Sequence, residues 1–245
     1  MIVDCIIPAR GGSKSIPKKN IKLLGGFPLI AYSIAASQLS HKIRHTIVTT
    51  DSEEIADIAV RYGASVPYLR PQELAQDNST DIEFFKYHIQ YLKKNNLEIP
   101  DLLVHLRPTT PLREISYIDK AISLFKKDKI ATALRSAHNT HLTPYKMFKK
   151  EDNYMRPFLT SSLGKEFYNL PRQAFEDAFI PNGYVDIIKT KTFDTSDILH
   201  GNNIYLFETE HTADIDVLED FYLAENLLSN NKYKDLLTYL GDISL

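Results

Sequence analysis

At 245 residues, 43% hydrophobic and 24% charged, the chain has the make-up of an ordinary soluble protein, long enough for one domain or one domain carrying a small insertion. Its net charge of −2 excludes a globally basic nucleic-acid binder, so any anion site has to be local. A lone cysteine, Cys5, excludes an internal disulfide. With no apolar run of membrane-span length and no leader-like start, the chain reads as cytoplasmic, with no membrane partner.

In chain order, IVDCIIP (2–8) predicts a buried strand with Cys5 as a small core residue, and PLIAYSIAASQL (28–39) a helix with Pro28 in its first turn. HTIVTT (45–50) reads as a strand and SEEIADIAVRYG (52–63) as a helix, capped by Ser52 and stopped by Gly63. SVPYL (65–69) reads as a short strand, and DIEFFKYHIQYLKKN (81–95) as an amphipathic helix. DLLVHL (101–106), ISYIDKAISLFKK (115–127) and IATALRS (130–136) continue as strand, helix and strand. This alternation predicts an α/β fold, a Rossmann-like, doubly wound and mainly parallel sheet, as one domain spanning 1–245.

The rhythm breaks over 138–180, where Pro144, Pro157 and Pro171 sit among aromatics and charges. Two readings stand: an inserted arm that pairs two subunits into a homodimer, or an extended loop packed on its own subunit. NGYVDIIKT (182–190) and NIYLFET (203–209) resume as strands, and VLEDFYLAENLLSN (217–230) closes the fold as a helix.

The first strand runs into IIPARGGSKSIPKKNIK (6–22), five basic residues with no acid among them. In open α/β sheets ligands sit beyond the carboxyl ends of the strands, and glycines at 11 and 12 let main-chain N–H groups approach an anion. Arg10 offers a fork, Lys14 and Lys18 point charges. The spacing matches neither GxxxxGK[ST] nor GxGxxG, so the segment reads as a phosphate-binding loop of another kind or as a solvated basic loop. Asp214 and Asp216, two apart in an extended ADIDV, share one side and make a candidate pair for a hard cation; the alternative is a turn before the last helix. His138 and His141 lack further ligands for a zinc set.

Six segments, in order, carry a family resemblance: ARGGSKSIPKKNIKLLGGFPLIAYSI, IVTTDSEEIADIAVRYGA, RPQELAQDNST, LRPTTPLR, PRQAFEDAFIPNGYV and DIDVLEDFYLAENLL. They resemble the acylneuraminate cytidylyltransferases, which join CMP from CTP to a nonulosonic acid and release pyrophosphate. The resemblance implies that Ala9, Arg10, Gly11, Gly12, Ser13 and Lys14 surround the CTP triphosphate, with Asn20 and one lysine, expected as Lys18, closing the signature. It implies Arg70 on the nucleotide side and Ser79 and Thr80 facing cytosine. Asp214 and Asp216 would hold Mg²⁺, and Arg10, Lys14 and that pair would carry catalysis. The sugar acid would meet Arg172, Gln173, Asn182 and Gly183, with Lys146 reaching in from a neighbouring subunit.

Two positions depart from the family pattern. Arg107 stands where it has a glutamine and Asp186 where it has an aromatic, and both are expected to shape the acceptor pocket, with Arg107 also reaching the nucleotide. Asp186 is expected to face a substituent of the sugar. The rival readings are a nucleotidyltransferase for a sugar 1-phosphate and a non-catalytic nucleotide-binding module.

Overall fold

The computed structural model describes residues 1–194 and 197–243. Strand β1 (Val3–Pro8) is apolar on both faces because both are covered: Cys5 and Ile7 join the larger core, while Ile6 joins a second one on the opposite side. A two-residue hairpin, β2 (Leu23–Leu24) and β3 (Phe27–Pro28), turns through Gly25 and Gly26, both at positive φ. It leads into α1 (Leu29–Gln38), whose residues 29–37 are all buried, so this helix carries no polar face. β4 (His45–Thr49) follows, then α2 (Glu53–Arg61), which Ser52 caps through the Ile55 N–H; Gly63 stops it at φ +91°.

Helix α3 (Asp81–Lys94) opens with the Glu83 carboxylate accepting the Thr80 N–H at 2.7 Å. β5 (Leu102–His105), α4 (Ile115–Lys127) and β6 (Ala133–Thr140) complete the regular alternation. A small hairpin, β7 (Phe148–Glu151) and β8 (Tyr154–Pro157), then stands apart from the main sheet. β9 (Ala178–Lys189), β10 (Ile204–Glu208), α5 (Leu218–Leu227) and α6 (Lys234–Ile243) finish the chain.

Among the described residues the main sheet has six strands in the order β10-β6-β9-β5-β1-β4, parallel except for β9. Helices cover both faces, as expected of a doubly wound sheet. α3 sends Phe84, Phe85 and Ile89 onto Ile6, Leu103 and Ile188, and the other helices build the larger core. Each large apolar side chain so buried stabilises the fold by roughly 1.5–3 kcal/mol. Because β9 is antiparallel, its early residues, Asn182 and Gly183, lie at the edge where β1 and β5 end.

The structure shifts several expected boundaries. Residues 65–69 form two isolated bridges, Ile47 to Ser65 and Thr50 to Leu69, instead of a strand. The expected excursion at 138–180 narrows to 141–177, because His138, Asn139 and Thr140 pair with Ile180, Phe179 and Ala178. Pro181 and the Asn182-Gly183 turn hid the first part of β9. Pro181 is tolerated because the register shifts beside it, between Arg135 and Ala137. α6 extends the fold past the helix expected to close it.

Candidate active site

A cleft of about 490 Å³ opens at the carboxyl ends of β1 and β5. Arg10, Gly12, Ser13, Lys14, Lys19 and Asn20 line it from the basic loop, Arg70, Ser79 and Thr80 from the segment before α3, and Asp81 from the first residue of α3. Arg107, Pro108 and Thr109 come from the loop after β5, and Asp216 from the segment before α5. Five cations (Arg10, Lys14, Lys19, Arg70, Arg107) thus face three carboxylates (Asp77, Asp81, Asp216), a local excess of positive charge in an acidic protein.

The two glycines of the loop do different work. Gly11 packs against the start of α2: its N–H donates to Asp51 Oδ1 at 2.8 Å, and a Cβ there would meet Ser52 Cβ at 3.2 Å. A Cβ on Gly12 would meet nothing, so the backbone there borders open cleft. Ala9 is buried beneath the loop, and its N–H donates to the Thr49 carbonyl at 3.0 Å. Asn20 ties the loop together by donating to the Arg10 carbonyl at 3.0 Å.

Of the two adjacent lysines, Lys18 adopts φ 52° and turns away from the cleft to pair with both oxygens of Glu54. Lys19 occupies the cleft instead, donating to the Ile215 carbonyl at 2.8 Å and pairing with Asp216 at 3.3 Å. Of the two, the cleft is lined by Lys19 and not by Lys18, the lysine expected there.

Arg10 and Lys14 meet on one carboxylate: Asp77 lies 3.0 Å from the first and 2.5 Å from the second. Arg10 also donates to the Gln76 carbonyl at 2.9 Å, so the 72–80 segment lies across the basic loop. Arg70 differs. It is buried, held by the Thr49 hydroxyl and carbonyl, stacked 5.1 Å over the Phe84 ring, and among the described residues it forms no ion pair. Desolvation pushes its pKa down. A buried cation on a cleft wall with no ion-pair partner is a group that an anionic ligand would satisfy.

Ile215 is buried and its N–H donates to the Thr109 carbonyl at 2.7 Å, while Asp214 and Asp216 on either side are exposed. The segment keeps the expected alternation although it forms no strand. Desolvation, aided by the Asp216 charge, pushes the Asp214 pKa up against the Thr109 hydroxyl that hydrogen-bonds it. Among the described residues no group of three or more His, Cys, Asp and Glu is placed to hold a metal. Two carboxylates suit a cation such as Mg²⁺ that completes its shell with water and phosphate oxygens.

The acceptor residues are less convergent. Asn182 is buried and occupied internally: its amide donates to Thr209 Oγ1 at 2.7 Å and its carbonyl oxygen accepts the Tyr184 N–H at 3.3 Å. Gly183, at φ +65°, lies beside Thr110 and Arg107, where a Cβ would come within 3.0 Å of Thr110 Oγ1. Lys146, over the Phe175 ring at 5.9 Å, and Gln173, in a short turn, lie in the excursion outside this cleft. Arg172 holds His141 Nδ1 at 2.5 Å and the Thr140 carbonyl at 3.2 Å at the root of the excursion. The expectation that Asp186 faces a sugar substituent is corrected: it is wholly buried below the cleft and paired with Arg107.

Sequence reasoning missed Asp77, Asp81, Phe84 and Thr109, which line the cleft, and Arg113, which lies behind it. Arg113 is fully buried and donates to the carbonyls of Tyr184, Arg107 and Gly183 and to Ser33 Oγ, stitching the β5 loop to the Asn182-Gly183 turn.

A family model described as cytidylyltransferase matches residues 5–153. The chain is 31% identical to the CMP-N,N'-diacetyllegionaminic acid synthase of Legionella pneumophila, over 95% of this chain and 98% of that one. It is 28% identical to a pseudaminic acid cytidylyltransferase of Campylobacter jejuni, over 93% and 96%. A CMP:2-keto-3-deoxy-manno-octonic acid synthetase solved with CTP superposes with a TM-score of 0.69 at 13% identity, over 94% of this chain and 99% of that one, which shows the shared fold. The chain therefore belongs to the cytidylyltransferases, enzymes that transfer a nucleotidyl group from CTP, as a member of the acylneuraminate cytidylyltransferase family whose motifs it carries.

Proposed function

We propose that the protein couples CMP to a nonulosonic-type sugar acid. The anomeric hydroxyl oxygen forms a bond to the α-phosphorus of CTP, the bond to the β-phosphate oxygen breaks, pyrophosphate leaves and the hydroxyl proton is lost to solvent. The observation that carries this reading is the set of cations at the end of β1, Arg10, Lys14 and Lys19, beside the unpaired Arg70. The relatives named for legionaminic and pseudaminic acids support the acceptor class.

Arg10, Ser13, Lys14, Lys19 and the Gly12 backbone would hold the triphosphate, and Ser79 and Thr80 would face the base. Asp214 and Asp216 would hold Mg²⁺, which supplies charge to offset the triphosphate and the leaving pyrophosphate. The chain's own part is positioning and fixed electrostatics: Asn20 and Lys19 tie the basic loop to the body, and Arg113 fixes the loop opposite. Arg172 would offer its planar fork to the sugar-acid carboxylate, with Lys146 contributed by a neighbouring subunit. The exposed Tyr154 and Met155 on the small hairpin and Phe158 just after it support a homodimer formed through it.

Pyrophosphate release from CTP and Mg²⁺ tests this across sialic, legionaminic, pseudaminic, ketodeoxynonulosonic and ketodeoxyoctulosonic acids and hexose 1-phosphates. Release with one sugar acid and CTP is the expected result. Release only with a hexose 1-phosphate, or CTP binding without turnover on any acceptor, would overturn it.

A further inference from the structure

The two departures from the family pattern touch each other. Arg107 Nη1 lies 2.7 Å from Asp186 Oδ2, and its Nη2 lies 2.9 Å from Asp81 Oδ2. Asp186 sits wholly buried in β9, with Arg135 at 3.5 Å and His200 at 3.9 Å as further neighbours. Burial by itself would raise its pKa; His200 and Arg107 outweigh that and hold it below the usual carboxylate range. Asp81, the first residue of α3, lies on the cleft wall. The guanidinium thus spans floor and wall, fixed at both ends.

The backbone of Arg107 is fixed as well. Its carbonyl accepts from Arg113 at 2.9 Å and from Ser33 at 3.1 Å, and its side chain packs against Gly183, where a Cβ would meet Cδ at 3.5 Å. Two residues on, Thr109 holds the Asp214–Asp216 segment through the Ile215 N–H. Arg107 is therefore built into the cleft wall, beside the Asn182-Gly183 turn and two residues from the contact with the Asp214–Asp216 segment. With two carboxylates on it, Arg107 adds no spare positive charge, unlike Arg70. What it presents is a donor of fixed direction.

Resting on the function proposed above, we infer that Asp186 is a positioning residue that never meets substrate, and that with Asp81 it holds Arg107 as a charge-compensated donor to a neutral oxygen of the sugar acid. That oxygen is a hydroxyl or an amide carbonyl, and the acceptor's carboxylate is met elsewhere. Arg107 is accordingly the specificity-determining residue of the acceptor side.

The test takes Asp186→Asn, Arg107→Gln and the double variant, and measures kcat, the KM for CTP, the KM for the sugar acid that the wild type turns over, and melting temperature. Each single change raises the acceptor KM about tenfold or more, the worth of a charge-assisted hydrogen bond, while the KM for CTP stays within about threefold. The double variant is no worse than either single one and melts above both, because removing both charges leaves none buried unpaired. An unmoved acceptor KM in Asp186→Asn, parallel shifts in both KM values, or multiplicative effects in the double variant would overturn the inference. Should a single variant fail to fold, the double variant decides: a wild-type acceptor KM overturns the inference. A wild type that turns over no sugar acid sinks the proposed function itself, and the inference with it.

Discussion

Arg70 and Asp77 make opposite predictions about the same nucleotide. Arg70 is buried with no carboxylate in ion-pair contact among the described residues, only the more distant charges of Asp51 and Asp81, an arrangement that costs stability until an anion arrives. Arg70→Met is expected to weaken CTP binding by roughly 10- to 100-fold while leaving the melting temperature of the free protein unchanged or raised. Calorimetry and a thermal melt on one sample check both halves, and a variant that melts well below wild type would show that Arg70 is held for the fold. Asp77 lies on Arg10 and Lys14, where phosphate oxygens would go. Since these groups are largely exposed, the contact is worth little, and Asp77→Asn should tighten CTP binding by only about two- to fivefold. Weaker binding in that variant would mean that Asp77 itself serves the bound state. Neither contact was legible beforehand. The basic loop announced itself by composition, but its partner residue lies more than sixty positions away, and adjacent Lys18 and Lys19 are told apart only by a backbone turn at φ 52°. The Arg107–Asp186 pair was visible as two anomalies and became one contact only once β5 and β9 lay side by side.

At the level of elements, sequence periodicity served best where a segment meets one environment. α2 and α3, with clear polar faces and N-terminal signals, sit within two residues of expectation. It served least where neighbours override local preference: 65–69 has strand composition but pairs only through isolated bridges. β9 carries Pro181 at a register shift that no single-strand pattern announces. The small β7–β8 hairpin buries too little to be stable alone, and Met155 on it and Phe158 just after it are largely exposed. The double change Met155→Asp and Phe158→Asp is expected to convert the proposed dimer to a monomer by sedimentation while CTP still binds. A dimer that survives both charges would place the subunit contact elsewhere.

For the molecule as a whole, two buried imidazoles contribute to acid sensitivity. Burial pushes His88 down to about 4 and His105 down to about 3, from an ordinary value near 6.5. Between those values the unfolded chain binds protons that the folded one refuses, so stability rises with pH there and falls on acidification below 6.5, by up to about 1.4 kcal/mol per pH unit for each group. Asp81 and Asp186, whose pKa values are lowered on folding, withdraw their share only below the ordinary carboxylate range, while Asp214, whose pKa is raised, opposes the histidine trend just above that range. Urea unfolding at pH 5 and 7 should therefore differ less in His88→Asn than in wild type, by about 1–2 kcal/mol. Equal differences would remove His88 from this account.

The excursion at 141–177 leaves and rejoins the sheet at paired positions, Thr140 opposite Ala178. Its two ends stand as near each other as the sides of a tight turn, and lengthening such a closed loop costs only in proportion to the logarithm of its length. Relatives of this chain are thus at liberty to grow, trim or exchange that segment without recutting the sheet that carries the cleft.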